Sequence, residues 1–509
     1  MIKLDKKTDE RLDLPCLKCI SLGRAYDLLR EDIRDHLRMA QKDIGFRFCR
    51  FHALFHDDMD VVYRRPDGTV GYHWHQVDKI YDFLLSIGLK PFVELNPMPS
   101  LLASGTQEMF YYAMNVTPPK VMEEWYDLVY EFTRHITERY GEYEVEQWRF
   151  EVWNEPNLKC FWTGTQQDYF NLYENAARAV KAVNPNYLVG GPATAIGEWI
   201  GDIIEYCTEK DIPIDFVSTH LYPQDEYCVY KDREHSPSEL GMYYIDGVRK
   251  VWETVKNSSR PDIDIYWTEF NTLATDCAEN ITFLNNVHVD KLFSAACIVR
   301  NMVETRAWSN GVAYWTISDV FEESQMRHTP FSGTYGLITL QGIPKAGYNA
   351  FKLMKKMRGK VFVTPVNAPL GCGVLACEEN DIIRVLLWNC QPPEITSRPD
   401  WSDTLVFDNI NAEDYIAEKA LIREGQGSAY EAWLEMGKPA NLTKFEEDYL
   451  RARSEMEYSL PCFIGTPASI DFTLKGNEVC YFEIHKRTRD VAHIVENKKM
   501  EAQLNTDNT

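Results

Sequence analysis

Long apolar runs are missing from this sequence: no stretch approaches the roughly 18 consecutive apolar residues that a membrane helix needs. Positive charge is scarce as well. The balance of 54 Lys and Arg against 77 Asp and Glu gives a net charge of -23, a field that repels nucleic acid phosphates and anionic membrane, so neither is expected as a partner. A dense disulfide framework is also lacking, because the 13 cysteines are odd in number and scattered from Cys16 to Cys480. That usage suits reduced thiols in a cytoplasm. Cys16 and Cys19 make a single CxxC with no second one to complete a zinc site and are read as buried structural thiols. The stretch Met1-Ile2-Lys3-Leu4-Asp5-Lys6-Lys7 places charges where an export signal has its apolar core, so the sequence predicts a soluble, cytoplasmic chain. With 27 Gly and 24 Pro in 509 residues and no repeat or low-complexity segment, it reads as globular.

What is present is alternation. From about residue 16 to 345, short β-branched and aromatic runs alternate with longer amphipathic stretches such as Leu28 to Lys42 and Val77 to Ile87, the pattern of repeated βα units. Eight strands are predicted: Cys19 to Arg24, Phe46 to His52, Pro91 to Leu95, Trp148 to Val152, Tyr187 to Gly190, Asp215 to His220, Ile263 to Thr268 and Val312 to Thr316. The expected fold is α/β, a (β/α)8 TIM barrel. Residues 346–485 change character. Val361 to Val366, Gly373 to Cys377, Ile382 to Trp388, Thr404 to Phe407, Ser469 to Leu474 and Val479 to Ile484 read as strands without helices between them, so a β-sandwich is expected, with a helical insertion near 442–456 and a polar tail from 486 to 509.

Two motifs carry chemistry. Phe150-Glu151-Val152-Trp153-Asn154-Glu155-Pro156-Asn157 is an apolar strand ending in Asn-Glu-Pro, and Ile263-Asp264-Ile265-Tyr266-Trp267-Thr268-Glu269-Phe270-Asn271 delivers a second glutamate at a strand end. Proline cannot continue the ladder, which puts Asn154 and Glu155 at the carboxyl end of the fourth strand, the catalytic face of a barrel. Glu269 falls three units later, on the seventh. Two carboxyl groups converging on one pocket suit glycosidic cleavage, in which one protonates the leaving oxygen and the other attacks or activates water. A strand-end glutamate alone is more often a paired core residue; two together are not. The rival of a different class is a non-catalytic carbohydrate-binding barrel, which has no need of both.

Other clusters are weaker. His56-Asp57-Asp58-Met59-Asp60 and His73-Trp74-His75 gather ligand-type side chains, but hydrogen-bonded loops explain them equally, and no metal is expected. Gly371-Cys372-Gly373-Val374-Leu375-Ala376 fits a loose dinucleotide fingerprint but leads into another strand rather than a helix, so no cofactor is expected.

The chain resembles glycoside hydrolase family thirty-nine, its β-xylosidases in particular. The resemblance rests on Ser21-Leu22-Gly23-Arg24-Ala25, Gly45-Phe46-Arg47-Phe48-Cys49-Arg50-Phe51-His52, Pro91-Phe92-Val93-Glu94-Leu95, Asn115-Val116-Thr117-Pro118-Pro119, the Asn-Glu-Pro motif, and Trp315-Thr316-Ile317-Ser318-Asp319-Val320-Phe321-Glu322-Glu323, in that order. It implies a retaining double displacement with Glu155 as acid/base and Glu269 as nucleophile, without a cofactor, releasing xylose from the non-reducing end of small oligosaccharides. Asn154 is then the residue for the sugar 2-hydroxyl, and His52 and His220 line the same subsite. Tyr222 donates to the nucleophile, Trp315 forms a platform under the sugar, and Glu322 or Glu323 accepts from its hydroxyls. Within the family the alternatives are β-glucosidase-like or α-L-iduronidase-like activity; for a uronate, Arg24 and Arg50 are the cations at strand ends. Accessory sandwich edges in such proteins can support homo-oligomers. Departures from the family pattern sit near the pocket: Ala53 where glycine commonly follows the histidine, Ala113-Met114 where an acid and glycine are common, and Leu221-Tyr222-Pro223 near strand six. These leave the exact sugar open.

Overall fold

Eight parallel strands close into a barrel in the order of the chain: β1 Cys19–Arg24, β2 Phe48–His52, β3 Lys90–Leu95, β4 Arg149–Val152, β5 Leu188–Thr194, β6 Phe216–His220, β7 Asp264–Phe270 and β8 Gly311–Tyr314, with β8 pairing back onto β1. The computed structural model describes residues 1–223, 241–272, 288–323, 325–364, 368–391, 400–408 and 410–487; the expected tail lies outside them beyond residue 487. A helix follows each strand, from Glu31–Asp43 after β1 to Ala346–Lys356 after β8. Every barrel strand overlaps its predicted run, with ends shifted by a few residues; β7, for example, runs on to Phe270.

The two-residue period of a strand explains what fills the barrel. Phe48, Phe92, Phe216 and Tyr266 form an apolar layer with Cys19 and Ala313, its rings meeting edge to face, as Phe92 does with Phe216 at 5.5 Å. Two residues further along the same strands stand Arg50, Glu94, Ser218 and Thr268, all buried and polar. The intervening Cys49, Val93, Val217 and Trp267 belong to the large core shared with the helices. Register levels the polar layer: Glu151 on β4 lies opposite Glu94 on β3, and His220 on β6 opposite Glu269 on β7 past a register shift. Such irregularities re-aim side chains at barrel rims.

Among the described residues, the remaining strands form a sheet of seven, a sheet of three and two two-stranded ribbons in the barrel loops, Val62–Arg64 with Val70–Tyr72 and Glu108–Met109 with Met114–Asn115. The central strands of the seven-stranded sheet are buried on both faces. Val374, Ala376, Val385 and Leu387 face the three-stranded sheet, while Leu375, Cys377, Leu386 and Trp388 join the barrel's core, packing on helices Leu292–Glu304 and Ala346–Lys356. The predicted insertion contains helix Lys444–Arg453, which starts at a capping box between Thr443 and Glu446. Not expected from the sequence were strands Tyr415–Ile422 and Glu457–Ser459, helix Tyr430–Glu435, and the N-terminal strands Ile2–Lys3 and Lys7–Arg11, which extend the three- and seven-stranded sheets although they precede the barrel. Leu4, at 2% exposure, sits in the core between those sheets. Leu4→Ala should therefore cost about 2 to 4 kcal/mol in urea unfolding, while Lys3→Ala at the exposed neighbouring position should stay within about 0.5 kcal/mol.

Candidate active site

The carboxyl end of β4 leaves the sheet through two left-handed residues, Trp153 at φ 70 and Glu155 at φ 45. Bulky side chains seldom adopt this conformation, and it persists where the surroundings over-determine it. Here the Trp153 indole donates to the Phe161 carbonyl at 2.9 Å and packs edge to face on Trp162 at 4.9 Å, while the Glu155 amide donates to Ala193 on β5 at 2.8 Å. Asn154 and Glu155 are thereby both held at the barrel mouth.

Arg50 organises the floor of the pocket. Its fully buried guanidinium donates from Nε to Glu151 at 2.5 Å, from Nη1 to Glu269 at 2.9 Å and from Nη2 to Asn154 at 2.8 Å, and Nη2 also lies 2.8 Å from Glu94. Burial works against this charge, but Glu151, Glu94 and Glu269 outweigh it and push the pKa up. The other oxygen of Glu269 accepts from the Tyr222 hydroxyl. Burial, with Glu269 and Glu155 close by, raises the Tyr222 phenol and keeps it a donor.

Glu155 sits differently. Its Oε1 is 2.9 Å from His220 Nδ1, and burial pushes its carboxyl from the usual range up to about 7, with Arg50 opposing and Glu94 adding. Burial pulls His220 down to about 4 and His52 to about 3, so both rings are neutral at working pH. A carboxylate oxygen of Glu155 and one of Glu269 lie within 4.8 Å of each other. The two acids thus share a pocket with unequal hydrogen-bond partners, a donor set for one and a neutral imidazole for the other.

The remaining expected residues divide. His52 holds Glu94 through Nδ1 at 2.8 Å and turns Nε2 toward Glu269 at 3.5 Å and Glu323 at 3.7 Å. Trp315 directly follows β8 and packs on the His52 ring at 4.4 Å. Glu323 joins this group, and burial raises its carboxyl, with Glu269, Glu155 and Glu94 reinforcing the shift. Glu322 instead pairs with Arg24 and lies 3.8 Å from Arg30. Of the two cations at strand ends, Arg50 is consumed by carboxylates of the site and Arg24 by Asp27, Asp58 and Glu322. Glu94, Glu151 and Thr268 were missed as site residues. Barrel register brings Glu94 and Glu151 to Arg50 and Thr268 to Glu151 and His220.

The departures from the family pattern also find their places. Ala53 lies at φ 65, a left-handed conformation that explains why glycine is at home there. Phe110 stacks over His52 at 6.4 Å, and behind it stand buried Tyr112 and Met114, clustered with Ala53 and Phe161. Ala53 and Met114 thus back the pocket wall, whereas Tyr222 reaches into the pocket and donates to Glu269. His56 accepts from the Asp58 amide at 3.2 Å, and His73 stacks on Tyr63 at 4.3 Å, so both serve their own loops. Among the described residues, the group spaced to share an ion is Glu155, His220 and Glu269. The Arg50 guanidinium on Glu269 already supplies positive charge there.

A closed (β/α)8 barrel with two unequal glutamates at its carboxyl face has the fold and site of a two-carboxylate glycoside hydrolase. The family model for glycosyl hydrolases family 39 matches residues 1–461. The chain is 37% identical to a β-xylosidase of Caldicellulosiruptor saccharolyticus, over 86% of this chain and 88% of that protein, and 35% identical to one of Geobacillus stearothermophilus, over 83% and 82%. The crystal structure of a monomeric β-xylosidase from Caulobacter crescentus CB15 superposes with a TM-score of 0.83 at 29% identity, covering 95% of this chain and 99% of that one. The chain belongs to glycosyl hydrolase family 39 and is a glycosidase.

If Glu155 gives a proton to the leaving group, it must be protonated, and its elevation to about 7 sets the upper limit of activity. For a poor leaving group, kcat/KM should fall about tenfold per pH unit above pH 7. In Glu155→Ala, assayed on an aryl glycoside with an acidic phenol, that limb should disappear.

Proposed function

We propose that this enzyme is a retaining, exo-acting β-xylosidase that releases xylose from the non-reducing end of xylo-oligosaccharides. The observation that carries the retaining reading is the spacing: Glu155 and Glu269 oxygens within 4.8 Å suit the roughly 5 to 5.5 Å between carboxyl groups of retaining enzymes and leave too little room for the water an inverting enzyme places between them. In the first step a Glu269 oxygen attacks C1 while Glu155 delivers its proton to the departing glycosidic oxygen, leaving a glycosyl ester on Glu269. In the second, ionised Glu155 takes a proton from water as that water attacks C1, and Glu269 departs as a carboxylate. Arg50 and Tyr222 hold the nucleophile's two oxygens in place before attack.

Asn154, fixed by Arg50, is assigned to the 2-hydroxyl. His52, His220, Glu323 and Trp315 complete the sugar pocket, with Glu322 holding the rim through Arg24. The β-xylosidase reading is supported by the activity named for the relatives at 37% and 35% identity. An iduronidase-like activity is disfavoured because Arg24 and Arg50 are both spent on carboxylates of the protein itself. Exposed free thiols at Cys160 and Cys462 suit a reducing cytoplasm.

Two measurements test this reading. A 2-deoxy-2-fluoro xyloside with a good leaving group should accumulate a glycosyl-enzyme, and peptide mapping should place the label on Glu269; a label elsewhere refutes the assignment. The wall of Phe110, His52, Trp315 and Glu323 should exclude the hydroxymethyl group of glucose, so kcat/KM for a β-xyloside should exceed that for the β-glucoside by at least about 100-fold. Equal values would remove the closed-pocket argument while leaving the chemistry intact.

A further inference from the structure

Behind the two glutamates runs a chain of hydrogen bonds whose direction can be deduced. Arg50 Nε donates to Glu151 Oε2 at 2.5 Å, which marks Glu151 as an accepting carboxylate. Its other oxygen lies 2.8 Å from Thr268 Oγ1. A threonine hydroxyl has one hydrogen, and that hydrogen goes to Glu151. The lone pairs of the same oxygen face His220 Nε2 at 3.2 Å, so Nε2 must be the protonated nitrogen. A neutral imidazole carries one proton, which leaves Nδ1 bare, 2.9 Å from Glu155 Oε1. Thr268, His220 and Glu151 are all within 1% of full burial, which favours this ordered arrangement over exchange with bulk water.

We propose that Thr268 is a positioning residue for the acid/base: by ordering His220 with Nε2 protonated, it presents Glu155 with an acceptor that only the protonated carboxyl can satisfy. Before the first step this acceptor holds the proton on Glu155; in that step the carboxyl's one hydrogen leaves Nδ1 and passes to the departing oxygen. After transfer the ionised carboxylate faces a bare nitrogen lone pair, which makes it a stronger base toward the incoming water. The inference rests on the reading of Glu155 as the general acid and extends it to a residue that touches neither sugar nor proton.

The groups facing Glu155 are spread around the barrel. Arg50 and Glu94 come from β2 and β3, Glu269 from β7, and Glu323 from beyond β8. The Tyr222 phenol and the Cys160 thiol are also near, and burial raises both, which keeps them neutral. Thr268→Val leaves each of these side chains in place but also removes a donor from Glu151, the partner of Arg50, so the limb is read together with the His220 nitrogen spectrum.

The test compares Thr268→Val with Thr268→Ser through the pH profile of kcat/KM on a poor leaving-group xyloside, normalised to competent sites counted with the fluoro xyloside. In Thr268→Val, His220 is free to protonate Nδ1 and donate to ionised Glu155, so the basic limb should move to lower pH by about one unit. Thr268→Ser should keep the parental limb. In parent enzyme labelled with 15N-histidine, His220 should show a protonated Nε2 and a bare Nδ1. An unmoved limb in Thr268→Val, or a protonated Nδ1 in the parent, overturns the proposal; if the valine variant does not fold, the nitrogen spectrum decides alone. Failure of the underlying reading is separable, because the limb would then survive in Glu155→Ala.

Discussion

The pocket depends on one buried cation. Arg50 has no solvent exposure and is bonded to Glu94, Glu151, Glu269 and Asn154. Four barrel strands or strand ends, β3, β4, β7 and the turn after β4, are referenced to one guanidinium. Breaking a buried ion pair from one side typically costs about 3 to 5 kcal/mol, because the partner is left uncompensated. Here the uncompensated groups would be several carboxylates at once, so the active site and the barrel's polar layer hold or fail together.

That arrangement also separates the two glutamates. Glu269 receives donors on both oxygens, from Arg50 and Tyr222, and is presented as a carboxylate. Glu155 meets a neutral histidine and a strained backbone, and burial lifts its carboxyl to about 7. One residue type thus stands in two different environments, which is what the proposed division into acid/base and nucleophile requires near neutral pH.

Much of this was legible in the residues. Both glutamates announce themselves at strand ends, and the alternation of short runs with amphipathic stretches gives the barrel. The polar layer was not legible in the same way. Glu151 lies inside the very motif that ends in Glu155, and Thr268 is adjacent to Glu269, yet neither looks functional until register sets His220 beside Glu269 and Glu151 beside Glu94. Arg50 could be seen as a cation, but its partners could not, and a free arginine would have suited a uronate. The N-terminal strands escaped notice because Lys7–Arg11 is a polar edge strand with almost no buried face, and Tyr415–Ile422 because its central Glu418 and Lys419 interrupt the apolar alternation. Glu322 and Glu323, neighbours in sequence, part ways only in three dimensions, one to Arg24 and one to His52.

The central claim is that Glu155 and Glu269 act in sequence from opposite faces of the sugar through a covalent intermediate. The most direct measurement is turnover of an activated aryl β-xyloside by Glu155→Ala with added azide, with the product's anomeric configuration read by NMR. A small anion that needs no general base should attack the glycosyl-enzyme in the vacated space, restoring turnover and giving the β-xylosyl azide. An α-configured azide, or no rescue in a variant that still labels at Glu269, would contradict the account.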